Sequence, residues 1–365
     1  MKLSQTLSST SILVIAAACL TNVARAHDDF FYKQTNLVSD GAAQATTTDM
    51  HLKNPWGIAA FTGGPFWISD NATGLTTLYD GKGDIVPLTV TIAPPKNTPM
   101  GTLAAPTGAV FNPNPNAFLV APKMAALFIF ATEDGSISAW NPTVNLTMTV
   151  LEYDDFQQGN GSVYKGLALA SNSTGTFLYA TNFRHATVDV FDATFKLTKL
   201  KGSFSDPMIP AGYAPFGIAL IDGNLFVTYA KQDAAKHDDD SAPGRGFVDV
   251  FDTDGNLIRR FASRGALNSP WGIARAPMDF GGFSSDILIG NFGDGHISAF
   301  ASSGHFRGQL LDTSGSPINI SGLWGLRFGD GLAADANKLY FTAGLNKEVD
   351  GLFGSLEPVE PIEND

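Results

Sequence analysis

The stretch "SPWGIARA" at 269–276 repeats, almost residue for residue, the "NPWGIAAF" at 54–61. Weaker echoes stand at 105–111 ("APTGAVF"), 163–170 ("VYKGLALA"), 214–221 ("APFGIALI") and 322–328 ("GLWGLRF"). Their shared glycines are Gly57, Gly108, Gly166, Gly217, Gly272 and Gly325, so successive steps are 51, 58, 51, 55 and 53 residues. A period in this range marks a repeated structural unit rather than a chance motif.

The residues after each glycine repeat as well. An apolar, β-rich run comes first ("PFWISDN", "LFIFATEDG", "TFLYATNF", "LFVTYAK", "DILIGNFGDG", "KLYFTAG"), and in five units a second run then closes on turn-forming residues ("TTLYDGKGD", "ISAWNPTV", "VDVFDATF", "VDVFDTDG", "ISAFASSG"). With a last strand such as "NLIRRFA" at 256–262, each unit reads as four short antiparallel strands. Radial repetition of such sheets protects their edges, which predicts an all-β, six-bladed β-propeller. The glycine is expected where the innermost strand crowds its neighbours at the axis. The sixth unit ends at "GLFGSLEP" without room for a fourth strand, while "FFYKQTNLVSD" at 30–40 has strand composition and no unit of its own. The N-terminal segment is therefore predicted to close the last blade.

The pattern Pro-x-Gly-apolar-Ala, then an aromatic strand ending in Asp or Asn, then a strand closing on "FD", resembles the NHL-repeat propellers. It is carried by "NPWGIA", "FWISDN", "TLYD", "APFGIA", "VDVFD" and "SPWGIA". Over the whole chain, "SDNATGLTTLYDG", "NFRHATVDVFD", "GFVDVFDTDGNL" and "NFGDGHISAF" add a likeness to exported NHL-like proteins of uncharacterised function. The resemblance implies the fold and supplies no activity.

Lys2, the apolar "ILVIAAACL" and the small-residue "ARA" describe a secretory signal peptide over 1–26, cut after Ala26. A lipoprotein anchored through Cys19 is the poorer match, because the ARA site fits better than "AAAC". The expected product is exported, to a periplasm or the extracellular space, as one propeller domain over 27–356 with an acidic tail at 357–365. No other apolar run is long enough to span a membrane. Cys19 is the only cysteine, so processing would leave none and would exclude disulfides, thiol nucleophiles and cysteine-bound metals. Residues 1–26 carry Lys2 and Arg25 and no acid, so the formal charge moves from −12 to −14. With no basic cluster to offset that charge, nucleic acid is disfavoured as a partner.

In a propeller, the loops joining strands two and three share a face with the blade-to-blade connections. Candidate ligand-binding residues on that face are Asp70, Asn182, Arg184, His185, Asp233, His237, Asp238, Asp239 and Asn291, and Glu133 and Glu348 map to the same loops. The fourth unit is the most unusual, with the polar run "YAKQDAAKHDDDSAPGRG" (229–246) where a short hairpin would do. His51, His185, His237 and His296 map to this face too and are the candidate metal ligands, although no local ligand spacing supports them. Trp56, Trp271 and Trp324, each just before a repeat glycine, are expected to pack near the channel.

No G-x-S-x-G, H-E-x-x-H, Walker or G-x-G-x-x-G signature is present. The expected function is a binding or interaction module for a small-molecule, glycan or protein ligand, acting through one acidic, loop-rich face. The alternative is a metal-dependent enzyme, either similar to the calcium-dependent lactonases on six-bladed propellers or a lyase similar to the zinc-using amidating NHL enzyme. Calcium or zinc would be the cofactor. The inner strands carry no carboxylate, which counts against a lactonase-type calcium site.

Overall fold

The computed structural model describes residues 30–156 and 161–359. The proposed signal peptide with its cleavage site, Cys19 and the last residues of the tail lie outside them. Six antiparallel sheets stand around one axis, each beginning with the strand that carries a repeat glycine. Blade 1 runs through Pro55–Ala59, Phe66–Asp70, Leu75–Tyr79 and Val90–Thr91, and blades 2 to 5 repeat that order. The sequence-predicted six-bladed propeller is therefore the observed fold.

Blade 6 takes three strands from the C-terminal end, Leu323–Phe328, Leu339–Gly344 and Asp350–Val359, and its fourth, Phe31–Ser39, from the N-terminal end. The closing strand pairs antiparallel from Phe31 with Val359 to Ser39 with Leu352, with a bulge between Asn36 and Val38. It is also tied to blade 5, since Tyr32 N donates to Leu311 O at 2.8 Å and Tyr32 Oη to Phe280 O at 3.1 Å. A two-residue strand, Thr47–Thr48, extends the same sheet in parallel.

Middle strands such as Phe66–Asp70 and Phe128–Thr132 are buried along their whole length, because each blade is sandwiched between two others. That geometry explains why these strands read as continuous apolar runs instead of alternating ones. The core follows the same logic. Six apolar clusters each lie between adjacent blades, for example Trp67, Leu78, Phe128, Phe130 and Trp140 between blades 1 and 2.

The glycine ring is a packing device. A Cβ on Gly57 would meet Thr107 O at 2.5 Å, and one on Gly325 would meet Trp56 O at 2.6 Å. Each of the six aims its missing side chain at the backbone of the next inner strand, so the relation runs once around the axis and closes on itself. Threonines of the second strands seal the same joints: Thr181 Oγ1 donates to Phe216 O at 2.7 Å, and Thr342 Oγ1 donates to Trp56 O across the blade 6 to blade 1 seam. Among the described residues no helix is long and apolar enough to cross a membrane.

Candidate functional site

On the axis four of the six residues just before the ring glycines, Trp56, Phe216, Trp271 and Trp324, join an aromatic plug. Trp56 stacks on Trp324 with centroids 3.4 Å apart, Phe292 stacks on the same indole at 4.0 Å, and Trp271 meets Trp56 and Trp324 edge-on at 5.9 and 5.7 Å. With Phe183, Phe216, Ala214 and Ala230 these residues form a cluster of their own, separate from the inter-blade cores. The three tryptophans thus occupy the packing role expected of them.

One of the six positions before the glycines is different. They hold Trp56, Thr107, Lys165, Phe216, Trp271 and Trp324, so Lys165 alone is charged there. Its side chain is 2% exposed, and Nζ lies 5.1 Å from the Trp56 ring centroid, within range of a cation–π contact. Nζ makes a very short ion pair with Glu133 and a second one with Asp238 Oδ1 at 3.3 Å. Burial works against the ammonium, but the two carboxylates outweigh it and hold its pKa above the ordinary lysine value. Lys165 is therefore a permanent cation at the floor of the loop-rich face.

Around it the loops deliver acids. Glu133, in the blade 2 loop, is fixed by Asn71 Nδ2 donating to Oε2 at 2.8 Å. The long blade 4 loop folds back toward the axis: Asp233 N donates to Asp238 O and Asp240 N to Lys231 O, both at 2.8 Å, and Asp240 holds Lys231 and Arg245 in ion pairs. This brings His237 and Asp238 to Lys165, with His237 Nδ1 2.9 Å from Asp238 Oδ1. The pair polarises both partners. Bonding to Asp238 pushes the His237 imidazole up, and bonding to His237 holds the Asp238 carboxyl well below the usual range.

Blade 6 adds Glu348. Asn346, Lys347 and Glu348 take φ of 52°, 59° and 67°, three successive left-handed residues with no glycine among them. Each costs about 1–2 kcal/mol relative to right-handed backbone, so this turn is held by its surroundings. Burial first, and then the Glu133 carboxylate, push the Glu348 carboxyl up to about 7. Burial likewise raises Asp239. Four carboxyl groups, Glu133, Asp238, Asp239 and Glu348, thus surround one ammonium and one imidazole. Ligand atoms of Glu133, His237 and Asp238 lie within 4.8 Å of one another, a spacing that a metal ion could bridge.

The other candidate residues stand elsewhere. Asp70 is fully buried, accepts from Thr77 Oγ1 at 2.8 Å and has its carboxyl pushed well up by burial. Asn182 donates to Asp189 Oδ2 at 2.8 Å and to Ser162 Oγ at 2.9 Å, and Asn291 Oδ1 accepts from Asn268 N at 3.0 Å. These three side chains stitch strand ends and loops together inside the blades. Asp233 caps its own loop by accepting from His237 N at 2.9 Å. Arg184 Nη1 donates to Gly161 O, and His185 is exposed beside Asn182. Of the four histidines, His51 pairs with Asp49 and His296 with the Ile318 carbonyl, so His237 is the one within the axial group. Sequence reasoning passed over Lys165. Its signal was the single charge in a column of aromatic and small residues.

No family model matches the chain. Two uncharacterised proteins of Acanthamoeba polyphaga mimivirus are similar over most of its length. The first is 35% identical over 89% of this chain and 80% of its own, and the second is 33% identical over 89% and 85%. Among solved structures, a catalytically inactive virginiamycin B lyase from Staphylococcus aureus, determined with quinupristin, superposes with a TM-score of 0.53 at 16% identity, covering 90% of this chain and all of that one. A gluconolactonase from Xanthomonas campestris gives 0.51 at 13%, over 85% and 87%. At such identities the likeness speaks for the propeller fold alone.

Proposed function

We propose a binding role for this chain, which belongs to one family with the two uncharacterised mimivirus proteins: an exported module whose axial face captures a ligand through a cationic group. The observation that carries the reading is the excess of carboxylate at the axis. Four acids lie around one buried ammonium that pairs with only two of them, Glu133 and Asp238, and burial together with the Glu133 carboxylate pushes Glu348 up to about 7. An arriving cation supplies the missing charge, so binding should expel a proton from Glu348.

Calorimetric titration with calcium chloride, zinc chloride and 1,4-diaminobutane, each near neutral pH in two buffers of different ionisation enthalpy, tests this. Saturable binding with proton release by the wild type, and loss of that release in Glu348→Gln, is the expected result. Absence of binding by all three cations overturns the reading. Export is tested separately by sequencing the N-terminus of the secreted protein, which should begin at His27.

A metal-dependent hydrolase or lyase is the second reading, favoured by the closeness of Glu133, His237 and Asp238. One imidazole nitrogen with carboxylate oxygens suits zinc, and oxygens alone suit calcium, but Lys165 already occupies oxygens of both acids. Elemental analysis of protein purified without chelators or a histidine tag decides it. Near-stoichiometric metal that is lost in Asp238→Asn supports the enzyme reading, and metal-free protein removes it.

A further inference from the structure

The central channel has a second end. Beyond the ring glycines, the C-terminal halves of the six inner strands enclose a cavity of about 660 Å3 that opens on the face opposite the axial acids. Trp271 belongs both to its lining and to the aromatic plug, so the plug forms its floor. Ligand sites usually occupy roughly 300–1,000 Å3 and combine apolar walls with a few polar groups. The walls mix apolar side chains such as Ile58, Val110, Leu169 and Phe328 with backbone polar groups and the charged Asp222, Arg275 and Arg327.

The polar group that stands out in the lining is Arg327. Its Nη2 donates to Ala60 O at 3.2 Å, while Nε is buried without a hydrogen-bond partner. The nearby Asp330 attracts it only at a distance: its carboxylate forms no ion pair with Arg327 and instead accepts from the backbone amides of Gly63, Leu332, Ala333 and Ala334, while burial holds the guanidinium pKa below its ordinary value. Arg275, at the rim, differs: it is ion-paired to Asp222. Among the described residues Arg327 makes no ion pair with a carboxylate. A guanidinium with a buried, unsatisfied Nε and no ion-pair partner is a costly arrangement unless an anion completes it.

We propose that this cavity is a second binding site, which takes a small amphipathic carboxylate with its hydrocarbon part against the apolar side chains and its carboxylate on Arg327. The site is independent of the axial cluster, lies at the other end of the channel and prefers the opposite charge.

The probe is octanoate, with 1-octanol as its uncharged counterpart, titrated calorimetrically into the folded wild-type protein. Octanoate should bind saturably and more tightly than octanol. Arg327→Met should weaken octanoate about ten- to hundred-fold, the size of a charge-assisted hydrogen bond, and Arg327→Lys should recover part of the loss. Leu220→Trp, an exposed change in the cavity lining, should reduce binding of both probes without depending on the fate of Arg327. Glu348→Gln should leave octanoate binding unchanged. No octanoate binding by the wild type, octanol binding as tightly as octanoate, unaltered affinity in Arg327→Met or in Leu220→Trp, or loss of binding in Glu348→Gln would each overturn the proposal.

Discussion

Lys165 Nζ lies 3.3 Å from Asp238 Oδ1, across 73 residues of sequence and from one blade to the next. The ammonium belongs to an inner strand and the carboxylate to the tip of a long loop, so the ion pair fastens that loop over the axis. The Lys165 side chain is 2% exposed, that of Glu133 12% and that of Asp238 66%, which ranks what each partner loses when the cation is removed.

Lys165→Met should therefore cost about 3–5 kcal/mol in denaturant unfolding, most of it from leaving the Glu133 carboxylate without its cation. Adding Glu133→Gln should restore more than half of the loss, since the uncompensated charge is then gone. If the double variant is as unstable as the sum of both single changes, the ion pair is not the cause.

The pH dependence has a definite sign. Glu348 titrates at about 7 in the folded protein against an ordinary 4.5, so its contribution to stability is complete below about 4.5 and is lost as pH rises through 7. Melting curves across this range should show Glu348→Gln declining less than the wild type. Parallel curves would mean that the Glu348 carboxyl is not raised.

Alanine at the ring glycines should rank by space. A Cβ on Gly217 would approach the Trp271 carbonyl more closely than at any other ring position, whereas one on Gly166 stays 3.0 Å from its neighbours. Gly217→Ala should cost about 3 kcal/mol and Gly166→Ala about 1, read as shifts in denaturation midpoint. Equal costs would mean that backbone entropy, and not the close approach, decides these positions.

Lys347 is exposed and sits at φ 59°, in the middle of the left-handed turn. Lys347→Gly should raise unfolding stability by about 1 kcal/mol, since glycine takes this backbone without steric cost. A loss of stability instead would show that the Lys347 side chain holds the turn.

The sequence by itself determined the propeller, the number of blades and the closing strand. Those features rest on local chemistry repeated six times: a glycine with no room for a side chain, an apolar strand buried on both faces and a turn-forming end. Each unit announces its fold within its own residues, and Phe31–Ser39 stood out because the sixth unit lacked a strand. The tryptophans before the glycines were legible for the same reason. The loops that feed the axis were legible too, but not which of their residues would meet. Asp70, Asn182 and Asn291 ended as buried bonding groups, while Glu133, His237, Asp238 and Glu348 gathered around Lys165. Only the tertiary structure could decide that, because the distances between those side chains depend on blade rotation and on how one long loop folds back, neither of which leaves a spacing in the chain. The cavity around Arg327 is likewise a product of six strands at once. That its guanidinium makes no ion pair becomes visible only when the Asp330 carboxylate is seen to accept instead from four backbone amides.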